Sequence, residues 1–409
     1  MAQSTLTTQS AILKTRFLGT VQKTLDSSSV LADRIAKKIA QNVTGNSFVF
    51  SLHTGRNASA LSGRTDYGTL PTADRQKYST STAAIKFSYG RFEVSGPTMA
   101  ATKDNLGAYV DILSSEVDGL TRDSKRAFNR QLNGDGRDAL AFWTTADNTT
   151  AATVDDSFGN NHVMFRGTFT GDLIDTDNTT KNGDSIEFTI SKTSTGTFEA
   201  SWSAGSVSSS GDGDYLVMED TLGNQIMGIS GIIDNGNPAL GNLQSIDAST
   251  AGNEFWQAQV VGSMASAVSL SFEDMQEVID LIETESDSSA SDIEFILFGH
   301  GVRRAYFQLC ITERRSVNTA ELDGGWKGLE YNGLVMVADP LCRRQTMFFV
   351  NPKSMTILRT QDFDWMDKDG SYLNRVANKD AYEAVLYTYQ NLVCLSRNSN
   401  GKLQGIIEA

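Results

Sequence analysis

The sequence predicts an α+β protein, and three observations carry that reading. Two strand-like segments, residues 48–52 and 85–94, flank a polar stretch over 53–84 with little to bury beyond Ala58, Ala60, Leu61, Tyr67, Leu70 and Tyr78. A long amphipathic helical pattern follows at once and stops at Asn133-Gly134-Asp135-Gly136. From Thr144 to Gly213 the texture then turns to Thr, Asp, Asn, Ser and Gly, before a mixed α/β pattern begins.

Residues 11–41 read as helix. Ile12, Leu13, Phe17, Val21 and Leu25 recur at helical spacing, as do Leu31, Ile35 and Ile39, with a break expected at Ser27-Ser28-Ser29. Each half is amphipathic and needs a surface to pack on. The extended hairpin that follows, 46–95, cannot build its own core, so it must lie on another surface; the natural candidate is a neighbouring copy of the chain. The next helix, 99–133, keeps Leu106, Tyr109, Val110, Leu113, Val117, Leu120, Phe128 and Leu132 on one side. At 1.5 Å per residue it would extend roughly 50 Å. Gly134 and Gly136 are expected to supply its left-handed stop.

Short alternating runs at 163–169, 186–190, 198–202 and 215–218 predict a small antiparallel sheet or barrel, inserted into a larger domain. Ser271 is placed to cap a helix carrying Met275, Val278, Ile279 and Ile282. A strand at 293–298, a helix at 302–310 and strands at 334–337 and 346–350 continue the pattern. Two C-terminal strands, 381–397 and 403–407, are expected to form a tight hairpin about Asn400-Gly401. The expected parts are a helical N-terminal arm (1–45), the hairpin arm (46–95), the long helix (96–143), the inserted β module (144–220), a mixed α/β region (221–380) and C-terminal strands (381–409).

A chain of 409 residues with 39% hydrophobic content can bury two or three cores. No apolar run approaches the ~20 residues that span a bilayer. The first residues lack the basic-then-apolar layout of a signal peptide, so a soluble protein made in a cytoplasm is expected. Cys310, Cys342 and Cys394 are far apart and show no metal or disulfide spacing, which points to buried free thiols. The net charge of −14 is unevenly spread. Residues 1–45 carry six basic and two acidic side chains and 46–95 six and three, whereas 135–262 carry four and eighteen. Basic arms reaching across to acidic bodies of neighbouring copies would steer assembly. Solvated surface charge is the plainer reading.

The search for catalytic chemistry finds no catalytic residue, cofactor or metal site. His53, His162 and His300 are not paired at ligand spacing. Gly299-His300-Gly301 follows a buried strand, where α/β enzymes place functional residues, but no G-x-S-x-G elbow accompanies it. A strand-to-helix turn is the better role for it. No phosphate-binding or dinucleotide-binding glycine motif occurs. The Asp-rich loops at Asp155-Asp156, Asp172, Asp175 to Asp177 and Asp212 to Asp214 have oxygen ligands for Ca²⁺ but no EF-hand spacing, so they read as solvated turns. The pairs Arg303-Arg304, Arg314-Arg315 and Arg343-Arg344 are best read as partners in inter-subunit salt bridges.

In its order of parts the chain resembles the major capsid proteins of tailed bacteriophages with the Hong Kong 97-type fold. Residues 89–95 (Tyr-Gly-Arg-Phe-Glu-Val-Ser) resemble the return strand of that family's extended loop, and 126–136 the end of its spine helix. Residues 226–232 with 243–247 resemble its re-entry after the β insertion, and Phe255-Trp256 sits where an aromatic pair is common. The resemblance implies a non-enzymatic subunit in hexamers and pentamers of an icosahedral virion shell, synthesised in a host bacterial cytoplasm. It implies a separate scaffold protein, a portal, a decoration protein in some relatives, and non-specific contact with packaged double-stranded DNA. Within the loop, Arg56, Arg64, Arg75 and Lys77 are the expected inter-subunit contacts. Some relatives crosslink through a loop lysine; Lys77 and Lys86 are present here, but no catalytic carboxylate can be placed, and the sequence assigns no crosslink. The alternative is a carbohydrate-binding or hydrolytic surface protein that works through the Asp-rich β module. A tail-tube or decoration protein is a third possibility, although these are usually shorter and lack the long helix.

Overall fold

Apolar strands, most of them in the C-terminal half, build two sheets, and the long helix lies on one of them. The computed structural model describes residues 30–39, 43–61, 63–97, 106–144, 150–156, 158–159, 165–193, 197–203, 207, 211–286, 292–312, 319–322, 326–367 and 373–408. In the first sheet, Met355–Trp365 pairs antiparallel with Ala381–Cys394. The other flank of Ala381–Cys394 takes Lys86–Ser95, in register from Ala381↔Ser95 to Gln390↔Lys86. The inward residues Phe92, Trp365, Ala384 and Leu386 share one buried cluster with Val117, Phe128 and Leu132 of the helix Leu106–Asn133. A side chain on Gly90 would place its Cβ 3.1 Å from Leu120 Cδ1, so glycine is what lets helix and strand approach this closely.

The second sheet has seven strands, in the order Gln259–Gly262, Gly401–Gln404, Thr346–Val350, Phe295–Phe298, Leu334–Ala338, Trp326–Tyr331 and Thr319–Leu322. Phe295–Phe298 and Thr346–Val350 are buried on both faces, which is why they read as unbroken apolar runs. Phe295, Leu297, Phe348 and Val350 face the core shared with the first sheet. Ile296, Phe298, Met347 and Phe349 face two helices, Phe272–Ser286 and His300–Thr312. Ser271 Oγ accepts from Asp274 N at 3.0 Å, the cap expected from sequence.

Arg397, fully buried in the crossing from the first sheet to the second, anchors that crossing to the segments 231–236 and 254–256. Its guanidinium donates to the carbonyls of Ile232 (2.6 Å), Trp256 (3.0 Å), Gly231 (3.3 Å) and Gly236 (2.7 Å). Burial pulls its pKa down to about 10. The inserted β module is a closed barrel of six strands: Ala141–Trp143, Ala151–Asp156, Gly167–Ile174, Lys181–Lys192, Phe198–Ser201 and Tyr215–Met218. In its interior Phe188 meets Trp143 and Trp202 edge-on and the two indoles are tilted to each other, with centroids 5.8 to 6.0 Å apart.

Several sequence expectations are corrected. The helix foreseen over 11–41 is helical only at Val30–Arg34 among the described residues, and 1–29 lie outside them. Ala36–Ile39 instead adds a parallel edge strand to Met355–Trp365, and Ile39 is 82% exposed rather than packed in a helix face. An available sheet edge outweighs the helical spacing there, as tertiary pairing overrides weak propensity. The arm's return strand is not 85–94 but Lys77–Ala84, inside the stretch read as polar loop; it pairs with Ser47–Gly55. The 85–94 strand exists, shifted by one residue, and belongs to the body sheet. Asn400-Gly401 does not turn a hairpin. Ala381–Cys394 stays in the first sheet while Gly401–Gln404 joins the second, between Gln259–Gly262 and Thr346–Val350. The Asn400 side chain serves that crossing: Oδ1 accepts from Asn351 N (2.9 Å) and Nδ2 donates to Ser354 Oγ (2.8 Å). Of the two glycines after the long helix, only Gly136 is left-handed, at φ +87°. The start of that helix, residues 99–105, lies outside the described residues.

Candidate assembly surfaces

The arm consists of a rooted part and a projecting part. At the root, Phe48, Ala83 and Ile85 are buried against Val393 of the body sheet. Ser81 and Gln244 share a side-chain hydrogen bond of 2.9 Å, Thr82 N donates to Gln244 O at 3.1 Å, and Asn391 Nδ2 donates to Ala84 O at 2.7 Å. The strands run out to Gly55 opposite Lys77, and the tip spans residues 56–76. Asp74 latches it: Asp74 Oδ2 accepts from Ala58 N at 3.0 Å, and Asn57 Nδ2 donates to Asp74 O at 2.6 Å. The Ala58 and Arg75 backbone N–H groups hold the Asp74 carboxyl below its ordinary pKa.

Beyond the latch the tip shows its apolar side chains to solvent. Leu61 and Tyr67 are fully exposed, and Leu70 is 82% exposed. Leu61 and Tyr67 also sit on left-handed backbone, at φ 49° and 64°, a region that non-glycine residues rarely enter. The four residues singled out from sequence lie here and all are exposed: Arg56 beyond the outgoing strand, Arg64 and Arg75 in the tip, Lys77 at the start of the return strand. Lys86, the other loop lysine, is in the body. Its Nζ donates to Gly223 O, and burial lowers its pKa.

Two further surfaces escaped the sequence reading. On the outer face of the first sheet, Phe87 and Tyr89 stand opposite Tyr389 and Tyr387 in register. Their rings meet at centroid distances of 5.1 Å (Phe87–Tyr389) and 5.2 Å (Tyr387–Tyr389), and Phe87 and Tyr89 are about half exposed. Farther along the same face Arg91 bridges Glu383 (2.8 Å) and Glu93 (3.0 Å). Period-two aromatics in both strands were the available signal. On the helix His300–Thr312, Phe307 and Ile311 are exposed, Ile311 by 74%.

A cleft of about 400 Å³ opens where the long helix, the barrel and the second sheet meet. Its charges are largely engaged with one another. Arg130 pairs with buried Asp138, whose pKa burial raises while Arg130 opposes the rise. Arg137 bridges Asp135 at 2.7 Å and lies over the Phe142 and Tyr215 rings. Arg344, also lining it, bridges Glu408 at 3.0 Å. The barrel is seated against the body here.

His300 heads its helix at the end of strand Phe295–Phe298, the turn expected from sequence. Asp339 and Cys342 lie on the adjacent loop, yet burial pushes the Cys342 thiol well up, away from the thiolate a nucleophile needs. Asp339 acts structurally: Oδ1 accepts from Leu341 N at 2.8 Å, and Oδ2 accepts from Asn133 Nδ2 at 3.3 Å. Two of the aspartates expected in solvated turns, Asp172 and Asp214, are buried instead, Asp172 on the strand Gly167–Ile174. Asp172 accepts from Ser185 N (2.8 Å) and Asp220 N (3.1 Å) and pairs with Lys181 (2.9 Å). Among the described residues, no group of three or more His, Cys, Asp or Glu is placed to hold a metal ion. The three cysteines are buried thiols outside any disulfide.

No protein-family model matches the sequence, and no curated protein sequence does. Solved structures do match by shape. The chain superposes on a chain of the cyanophage A-1(L) capsid asymmetric unit with a TM-score of 0.53 at 11% identity, over 92% of each chain. It also matches the capsid of an empty GTA particle, with a TM-score of 0.49 at 9% identity over 93% of this chain and 90% of that one. The cyanophage likeness establishes the fold as the Hong Kong 97-type capsid fold.

Proposed function

We propose that the protein is the major capsid protein of a tailed bacteriophage, a structural subunit that self-assembles into an icosahedral head around double-stranded DNA. The observation that carries this reading is the arm. Its root is built into the body, while its tip holds Leu61, Tyr67 and Leu70 out in solvent on a latched backbone. Exposed apolar side chains on ordered, partly left-handed backbone are costly in an isolated chain, and a neighbouring copy would cover them. The shared fold with a phage capsid subunit agrees. In this reading the subunits form hexamers and pentamers, each arm lies on neighbours, and Arg56, Arg64, Arg75 and Lys77 contact them. The chain's own work is contact rather than catalysis. The virion is its place after synthesis in the host cytoplasm, with separate scaffold and portal proteins, and a decoration protein in some designs, as the other assembly partners.

Negative-stain microscopy of the purified full chain, with sedimentation velocity beside it, tests the reading. Rings, sheets or closed shells are expected. A chain that stays monomeric at every concentration and salt level contradicts it.

A further inference from the structure

The two helices on the outer face of the second sheet carry opposite charge. Phe272–Ser286 contains Glu273, Asp274, Glu277, Asp280, Glu283 and Glu285 and no Lys or Arg. Its buried stripe is Met275, Val278, Ile279 and Ile282, so Glu273, Glu277 and Asp280 face away from the sheet. With Gln276, Leu281 and Thr284 they border a shallow open groove. Acidic residues in the last turn also oppose the negative end of the helix dipole, and cations supplied from outside would relieve that. His300–Thr312 is the converse. Its buried stripe is Val302, Ala305, Tyr306 and Cys310, and its outward stripe runs Arg303, Phe307, Ile311.

We propose that these two stripes are the halves of one inter-subunit contact, in which the Arg303–Phe307–Ile311 stripe of one copy seats in the acidic groove of the next. The occupant is a second copy of this chain because each surface has its complement in sign on the same molecule. The lengths agree as well. Residues 273–284 span about 16 Å of helix and 303–311 about 12 Å. Apolar Ile311 and Phe307 would meet Leu281 at the centre, and Arg303 would meet Glu277 and Asp280 at the rim. Two complementary stripes on different helices can pair reciprocally about a two-fold axis or head-to-tail; the shell reading selects the head-to-tail pairing, whose repetition closes a ring. Charge at the rim sets register and encounter rate, and the apolar centre sets lifetime.

The inference rests on the shell reading, and one experiment separates the two. Two full-length variants are made, R303E and E277R with D280R, both on exposed positions. Unfolding midpoints equal to the parent's show that they fold. Sedimentation velocity at low salt then follows association. Each variant alone sets like charge against like and should lose the parent's ring-sized species. In an equimolar mixture, opposite charges return wherever the two variants alternate, as they can around a six-membered ring, and that species should recover. A third variant, Ile311→Ser, keeps all charges and should also weaken association. Variants that associate as the parent does, or a mixture that stays dissociated, overturn the helix pairing and leave the shell reading standing. A parent that never associates overturns both.

Discussion

The joint around Arg397 and the tip of the arm are opposite solutions to the same problem. At the joint, a buried guanidinium meets four backbone carbonyls and the chain satisfies itself. At the tip, the backbone is latched by Asn57 and Asp74 while the apolar side chains are left in water. Stability is therefore concentrated in the body, and the capacity for contact is concentrated where little stability depends on it.

The largest effect expected is at the joint. Arg397→Met leaves buried carbonyls without a donor and should cost about 3–5 kcal/mol, read as a lowered denaturant midpoint. A change below about 1 kcal/mol would show that these bonds are not what holds the crossing in place. A smaller effect is expected in the barrel. Asp172→Ala removes two backbone acceptor bonds and the Lys181 pair and should cost about 2 kcal/mol. Burial alone would raise the Asp172 pKa, but Ser185 N–H, Lys181 and Asp220 N–H outweigh it and hold the carboxyl below its ordinary value. Its contribution is therefore full above the unfolded value of about pH 4 and is lost as pH falls through the lower folded value. Parent and variant midpoints measured from pH 7 to 2 should converge only at the acid end.

Gly90→Ala should cost about 1 kcal/mol, since Leu120 must give way or the helix lift from the strand; an unchanged midpoint would mean that the helix can slide. The smallest effect on stability, none measurable, is expected for the exposed set Arg56, Arg64 and Arg75 changed together to Glu. Assembly followed by light scattering should slow instead, most at low salt, because exposed charges are screened beyond about 8–10 Å at physiological ionic strength. Equal rates across a salt series would remove the steering role of these residues.

Much of this contrast could be read from residues alone. The polar stretch over 53–84 identified the arm, the apolar runs at Phe295–Phe298 and Thr346–Val350 identified doubly buried strands, and alternation identified the barrel. Partner choice could not be read. Lys77–Ala84, a run of Ser, Thr and Ala, has no strand signature of its own and is a strand because Ser47–Gly55 lies beside it. Ile39 has helical spacing but lies on a sheet edge. Asn400-Gly401 is a hairpin signal spent on a crossing between sheets. Of the candidate contacts, the arm cations were legible as charge. The Phe87–Tyr389 face needed the register between strands nearly 300 positions apart in sequence.

The central claim is that the arm tip exists for a neighbour and not for its own chain. Replacing residues 56–76 with a two-residue Asn-Gly turn keeps the paired strands at Gly55 and Lys77 and removes the tip alone. The account predicts a soluble, folded subunit whose unfolding free energy stays within about 1 kcal/mol of the parent's and that forms no closed shells under the microscope. Normal shells from that variant, or a body that no longer folds, would contradict it.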